Sequence, residues 1–441
     1  MNFCYGVLVQ KNADYCILCT DDSPPPTAEE VRGTVGVKAG KDMNKERKRK
    51  LKKILVAYSG GLDTSCMLHW LKAEYGAEVY AYCADISGLS DERRKVLIRK
   101  GLKTGAKKVI VEDLREEFLR EYVFPSLQAD AVYEGEYFMA TALGRPLIAK
   151  HLVNVAEKLG VDSIAHGSTG KGNDQVRFET GIYSLSSKLE VIAPLRFWNF
   201  KTREDEVEYA RKNKIPVSLA SKTYSIDENI WGVAIECGRL EDASLPPPDG
   251  SWQWTGGRIN KKETKIKISF RRGVPFAVND KKMTPVSLVE KLNRIGSSYR
   301  IGRTDIIESR VVGIKSREIY EAPAAEILSG AHFDLERMVL DRETLHYKEK
   351  VAKDFSCAIY NGRWFSPLRK ALSAFVETTQ TNVTGEVIML LHPYSYEIIA
   401  RKSFHSLYSR PMATYAKGDK FDRNLAEGFI KLSSLDIAKR K

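Results

Sequence analysis

The sequence predicts an α/β protein, built as a doubly wound, mostly parallel sheet followed by a second α+β domain and a C-terminal arm. Three observations carry that expectation. Between residues 51 and 220, short apolar runs alternate with segments of helical periodicity, as in a parallel sheet covered on both faces. Two glycine-rich loops directly follow strand-like runs, where ligands bind in such sheets. Beyond residue 220 the strands alternate charged and apolar residues, as antiparallel strands open to solvent do.

Taken in order, residues 1–50 show no periodic apolar face. Asp21-Asp22-Ser23-Pro24-Pro25-Pro26 cannot continue a helix or strand, and a basic run from Lys45 to Lys53 follows. This segment has no secretory n- and h-region and too many acids for a transit peptide, so a flexible extension, or a start codon placed too far upstream, is expected. Ile54-Leu55-Val56-Ala57-Tyr58 has the apolar texture of a strand buried on both faces. Within 63–74, Met67, Leu68 and Leu71 recur at helical spacing. A strand over Val79 to Ala84, a polar-faced helix over Asp91 to Thr104 and a strand over Val109 to Val111 come next. Arg145 to Leu159 reads as a helix with Leu147, Ile148, His151, Leu152 and Val155 on one side. Ser163-Ile164-Ala165-His166 is a strand that runs into the second glycine loop. In the second domain (221–405), Lys265 to Phe270, Val383 to Leu391 and Tyr396 to Ala400 read as strands. Residues 406–441 offer little core of their own and are expected to form an arm that packs on another subunit.

Composition narrows the function classes. The 441 residues are 43% hydrophobic and 29% charged, enough for two or three domains of roughly 150 residues each. No apolar run approaches the roughly 18 residues of a membrane span. The formal charge is +13, and the seven cations of the Lys45–Lys53 run, offset only by Glu46, supply nearly half of it. The remainder suits an enzyme of anionic ligands and does not indicate a specific nucleic-acid partner. Seven scattered cysteines match reduced, buried thiols in a cytoplasmic protein. Cys16 and Cys19 have CxxC spacing but no second pair or nearby His, so no metal site is expected.

The chemistry lies in the loops. Ser59-Gly60-Gly61-Leu62-Asp63-Thr64-Ser65 follows a strand and opens a helix. Its glycines let backbone approach an anion, the helix start offers free N–H groups, and Ser59, Thr64 and Ser65 add hydroxyls. No Gly-Lys-Ser/Thr occurs here, so transfer of a γ-phosphoryl group is not implied. The bland alternative is a tight turn capped by Asp63. The second loop, His166-Gly167-Ser168-Thr169-Gly170-Lys171-Gly172-Asn173-Asp174-Gln175-Val176-Arg177, sets a lysine, an acid and an arginine among bare backbone. Both signs of charge within a few residues suit an amino-acid zwitterion.

The first loop resembles that of the PP-loop ATP pyrophosphatases, which split ATP between its α and β phosphates and adenylate a substrate oxygen. The second loop resembles the signature of the argininosuccinate synthases. So do Tyr133-Glu134-Gly135-Glu136-Tyr137, Thr141-Ala142-Leu143-Gly144-Arg145-Pro146, Tyr224-Ser225-Ile226-Asp227-Glu228-Asn229, Gly302-Arg303-Thr304-Asp305 and the run from Glu308 to Glu321. The resemblance implies a cytoplasmic homotetramer that ligates citrulline and aspartate with ATP and Mg2+. It implies that Ala57, Tyr58, Ser59, Gly60, Gly61, Leu62, Asp63, Thr64, Ser65, Ala84 and Gly167 hold ATP. Thr169, Asn173 and Asp174 would hold aspartate. Tyr137, Asn173, Arg177, Ser225, Glu308 and Tyr320 would hold citrulline. Asp63, Lys171 and Asp174 are the expected catalytic groups, with Lys171 on the pyrophosphate. Ala142 and Ala234 stand where the family commonly carries citrulline-contacting serines, and Ser87-Gly88 replaces its usual Gly-Gln. The rival reading is a PP-loop enzyme that modifies tRNA, anchored by the basic run.

Overall fold

A computed structural model describes residues 51–200, 202–216 and 224–438, so the expected extension over 1–50 lies outside them. The first half alternates strand and helix: β1 (Lys53–Ala57), α1 (Leu62–Tyr75), β2 (Glu78–Asp85), α2 (Asp91–Lys103) and β3 (Lys108–Asp113). α3 (Ala140–Leu159), β4 (Ser163–Ala165), α4 (Asn173–Leu185), β5 (Glu190–Ile192) and α5 (Arg203–Lys212) complete it. The five strands pair in parallel in the order β3-β2-β1-β4-β5. Period-two alternation explains why β1 must be apolar throughout. Ile54 and Val56 pack with Met67, Leu71 and Ala210 on one face, and Leu55 packs with Leu152, Phe178 and Ile182 on the other. That is the doubly wound arrangement expected.

The strand order reverses between β1 and β4, and a crevice opens there beyond their carboxyl ends. Both glycine loops end at that crevice.

α3 departs from expectation. The helix starts at Ala140 rather than Arg145, so Pro146 lies inside it instead of in its first turn. Proline normally breaks a helix interior, but here Ala140, Thr141, Ala142 and Leu143 are all buried, and tertiary packing holds the additional turn. Leu143 and Leu147 join the core of the second half while Leu152 and Val155 join that of the first.

The second half contains β6 (Ser225–Asn229), β7 (Gly232–Glu236), β8 (Thr264–Arg271), β9 (Val274–Val278), β10 (Lys281–Lys282) and α6 (Pro285–Ser298). β11 (Arg303–Ser309), β12 (Lys315–Glu321), α7 (Pro323–Val339), α8 (Arg342–Tyr360), α9 (Pro367–Thr379), β13 (Gly385–His392) and β14 (Ser395–Lys402) follow. Two antiparallel sheets result, in the orders β10-β9-β8-β13-β14 and β11-β12-β7-β6. The strands expected over Lys265 to Phe270, Val383 to Leu391 and Tyr396 to Ala400 are β8, β13 and β14.

Under these sheets lies a buried ionic cluster. The Lys348 ammonium pairs with Asp130 and, at 3.1 Å, with Glu336. His332 joins it through Nδ1, 3.0 Å from Asp130, and Nε2, 2.8 Å from Gln380. Asp130, His332 and Glu336 are grouped closely enough to ligate a metal ion, but the ammonium already supplies the cation that these carboxylates need.

After β14 the chain exposes its apolar side chains. Phe404 and Tyr415 are 94% and 98% exposed, and α10 (Asn424–Ser433) buries none of its residues. Among the described cysteines all four are free. Cys66 is buried, as expected, whereas Cys237 is exposed, on a turn whose polar neighbours give it no core to enter. No helix among the described residues is long and apolar enough to cross a membrane.

Candidate active site

The crevice is a cavity of about 860 Å³. One end of it is the first glycine loop. Gly60 adopts φ +77°, and a Cβ there would stand 2.3 Å from Leu97 Cδ1, so only glycine fits. The N-cap of α1 is Gly61, which supplies no side-chain hydrogen bond. Asp63 therefore does not cap the turn, and the first N–H groups of α1 remain available to an anion. Ser59 Oγ lies 3.1 Å from Thr64 Oγ1 and accepts from Gly61 N at 3.3 Å. Ala57, Tyr58, Ser59, Gly60, Asp63, Thr64, Ala84 and Gly167 line the cavity. Gly61 is exposed beside it, while Leu62 and Ser65 are buried beneath the loop and support it.

The loop that carries the departure at Ser87-Gly88 is held through its backbone. The Asp85 carboxylate accepts from Ser87 N at 3.2 Å, Gly88 N at 2.8 Å and Leu89 N at 2.9 Å. The loop after β2 is thus wound round a buried carboxylate, and Ser87 reaches the cavity wall.

The opposite end is polar and charged. Pairing in the sheet β11-β12-β7-β6 puts Glu308, Tyr320, Ala234 and Asp227 on one face. Glu308 is 1% exposed and accepts from Tyr320 Oη at 2.6 Å and from Tyr360 Oη. Burial pushes its carboxyl above the usual range, against the pull of those two hydroxyls. Tyr137 stacks on Tyr320, with centroids 3.9 Å apart, and Tyr133 stacks on Tyr360 at 3.5 Å. Asn173 Nδ2 donates to Tyr360 Oη at 2.9 Å while its Oδ1 accepts from Val311 N at 2.8 Å.

Between the two ends Asp174 gathers two guanidinium groups, Arg145 at 2.6 Å and Arg177 at 3.1 Å. Arg145 also pairs with Asp227. Burial would raise the Asp174 carboxyl, but Arg145 and then Arg177 outweigh it and hold it below its ordinary value. Arg177 donates through Nε to Tyr360 O at 2.9 Å, and its Nη2 is buried without a partner. Arg177 is one of the residues lining the cavity, and its guanidinium is the kind of group that pairs with a carboxylate.

Thr169, Asn173, Asp174, Tyr137, Arg177, Ser225, Glu308 and Tyr320 all line this one cavity. Lys171 is the exception. It is exposed, outside the cavity lining, and its carbonyl faces Arg310 at 3.4 Å. Arg145, Asp227, Arg310 and Tyr360 were not singled out as site residues. Arg310 bridges Glu236 and Glu318. Burial, and then Glu236, push the Glu318 carboxyl up to about 8.

The parallel sheet, its glycine loop at the switch point and the mixed-charge pocket opposite define the class: an α/β protein of the nucleotide-binding type of architecture, with a charged pocket facing its glycine loop. Residues 53–216 match the family model for the arginosuccinate synthase N-terminal HUP domain, and residues 224–440 match that for the arginosuccinate synthase C-terminal domain. Proteins named argininosuccinate synthase from Pelodictyon phaeoclathratiforme and Chlorobaculum tepidum are 48% and 49% identical to it. The alignments cover 87% of this chain and 96% of each relative. That from Caldanaerobacter subterraneus subsp. tengcongensis is 46% identical over 87% of this chain and 94% of its own. The chain belongs to the argininosuccinate synthase family.

Proposed function

We propose that this chain is an AMP-forming carbon–nitrogen ligase that joins citrulline to aspartate through citrullyl-AMP. The observation that carries the reading is the single cavity with a bare-backbone anion loop at one end and the Glu308–Tyr320–Arg177 pocket at the other. The ureido oxygen of citrulline attacks the α-phosphorus, and the bond to the bridging oxygen breaks with its electron pair leaving on pyrophosphate. The aspartate amine then attacks the ureido carbon and expels AMP, which carries the ureido oxygen. Arg177 suits the citrulline carboxylate, and Glu308 with Tyr320 suits its ammonium and ureido N–H groups. Thr169, Asn173 and Asp174 suit aspartate. None of these side chains needs to form a covalent intermediate, so catalysis rests on positioning and charge.

ATP is the nucleotide this family implies, and Mg2+ is its expected companion. The residues present fit it: Asp63 lines the cavity at the glycine loop, and one carboxylate with phosphate oxygens and waters is a donor set Mg2+ accepts. When bound, the ion supplies positive charge at the phosphates. The odd number and scattered placement of the seven cysteines support a cytoplasmic setting. The apolar arm after β14 supports assembly with further copies as a homotetramer, and residues 51–220, 221–405 and 406–441 serve as ATP domain, synthetase domain and arm.

The test is isotopic. Citrulline carrying heavy oxygen in its ureido group, turned over with ATP and aspartate, is expected to deliver the label to AMP and leave pyrophosphate unlabelled. Label in orthophosphate, or ADP as product, sinks the adenylation reading.

The two missing serines differ in consequence. Ala234 is on the cavity wall, whereas Ala142 is fully buried and off it, although its neighbour Thr141 is among the lining residues. Ala234→Ser is expected to lower the citrulline KM by the equivalent of about 0.5–1.5 kcal/mol, one hydrogen bond. Ala142→Ser is expected to leave it unchanged or raise it, because its hydroxyl would be buried without gaining the ligand. Steady-state titration of citrulline in both variants separates these outcomes.

A further inference from the structure

Five cations line the cavity: Arg93, Lys100, Arg145, Arg177 and Arg310. Arg145, Arg177 and Arg310 are each paired with carboxylates. Arg93 is exposed at the rim. Lys100 differs from all four. It is half-buried, forms no ion pair among the described residues, and donates to the carbonyl of Gly60 in the phosphate loop. That contact occupies one of its three N–H donors.

Its position is built. α2 is capped by Ser90, whose Oγ accepts from Arg93 N at 3.3 Å. One turn before Lys100, Leu97 fills the space that a Cβ on Gly60 would need. One residue after it, Gly101 lets the helix close on Tyr58, since a Cβ would stand 3.3 Å from the Tyr58 ring and 2.7 Å from Val109. α2 is thereby seated on the glycine loop with Lys100 over its carbonyl. The lysine absent from the loop's own sequence arrives from the next strand–helix unit, forty positions along.

We propose that Lys100 is the catalytic cation for the departing pyrophosphate, the task the loop sequence assigned to Lys171. The inference rests on reading the reaction as adenylation by ATP. As the bond between the α-phosphorus and the bridging oxygen breaks, negative charge grows on the β-phosphate, and the free N–H donors of Lys100 meet it. An ammonium fixed in place before reaction loses little reorganisation when that charge develops. Burial holds Lys100 below the ordinary lysine value, a penalty that a docked polyanion reverses.

Two measurements test it. In Lys100→Met, pyrophosphate as product inhibitor against ATP is expected to weaken about 10- to 100-fold, the loss of one charge-assisted hydrogen bond. The KM values for citrulline and aspartate should be unchanged, and Lys100→Arg should recover much of the inhibition. In the unaltered protein, pyrophosphate without any turnover should protect Lys100 from reductive methylation, read by peptide mass spectrometry, while citrulline and aspartate should not. Unchanged inhibition in a Lys100→Met protein that melts like its parent overturns the inference. So does methylation of Lys100 at the same rate under saturating pyrophosphate, an outcome that needs no folded variant. If the parent protein yields no pyrophosphate from ATP, citrulline and aspartate, the functional reading fails separately from these results.

Discussion

Asp174→Asn is expected to lower kcat/KM for aspartate by about 10²- to 10³-fold, and to leave ATP affinity nearly unchanged. The size follows from what the carboxylate does without substrate. Asp174 is the ion-pair partner of Arg177 and one of two for Arg145, all three in the cavity wall. Losing a charge-assisted partner costs about 1.5–3 kcal/mol, and both guanidinium groups that orient this corner of the pocket lose one here. Arg145 keeps Asp227, so Arg177 suffers more. Since Arg177 is also the proposed anchor for citrulline, the citrulline KM should rise too, by less than the aspartate effect. The first loop shares no hydrogen bond with this trio, and nucleotide titration should show it intact. Collapse of ATP binding with normal aspartate kinetics would reverse the assignment. The Asp174 carboxyl lies below its ordinary value, so its contribution is present above about pH 4 and disappears only as pH falls through the depressed value. Assays between pH 6 and 9 should therefore show no titration from this residue.

Which parts of this site were legible in sequence follows from how each residue reaches it. The two glycine loops are contiguous, and a parallel strand must deliver its following loop to the carboxyl edge of the sheet. Ser59 to Ser65 and His166 to Arg177 could thus be read without coordinates. Glu308 and Tyr320 were reached only through the resemblance of their run, because an acid and a tyrosine on a strand carry no signal alone. Tyr360 had no such help. It closes α8 and meets Asn173 across 187 positions, a contact that neither periodicity nor a local motif announces. Lys100 was hidden for another reason, since a lysine in the last turn of a polar helix is ordinarily a solvated complement to the helix dipole. The start of α3 lies earlier than the periodicity indicates because burial of Ala140 to Leu143, which only tertiary packing decides, extends the helix past a proline that is at home in a first turn. The buried ionic cluster was invisible to sequence reading, with Lys348 and Asp130 separated by 218 positions.

That cluster sets the largest expected effect on stability. Lys348→Met should destabilise the fold by about 3–5 kcal/mol at pH 8, read as a lower urea midpoint, since it strands two carboxylates in the interior. Methionine fills the volume of the lysine stem, so the loss is electrostatic and not a cavity. Its pH dependence gives the diagnosis. Burial, and then Asp130, push the Glu336 carboxyl up to about 7, and His332 is also raised, where burial alone would lower it, by Glu336 and Asp130. Both groups bind protons more tightly in the folded state, so their contribution is full below their unfolded values and is lost as pH rises through their folded ones. Asp130 is shifted the other way: burial would raise it, but Lys348 and His332 hold it low, and its contribution disappears only in acid. Between pH 5 and 8 the parent should therefore lose stability as pH rises. Without the ammonium, Glu336 should hold its proton to still higher pH, so Lys348→Met should recover part of its deficit as pH falls toward 6. Lys348→Met combined with Glu336→Gln should remove most of that recovery by deleting the proton it depends on. A deficit in Lys348→Met that stays constant from pH 8 to 6 would mean that lost packing, not the stranded carboxylates, is the cause.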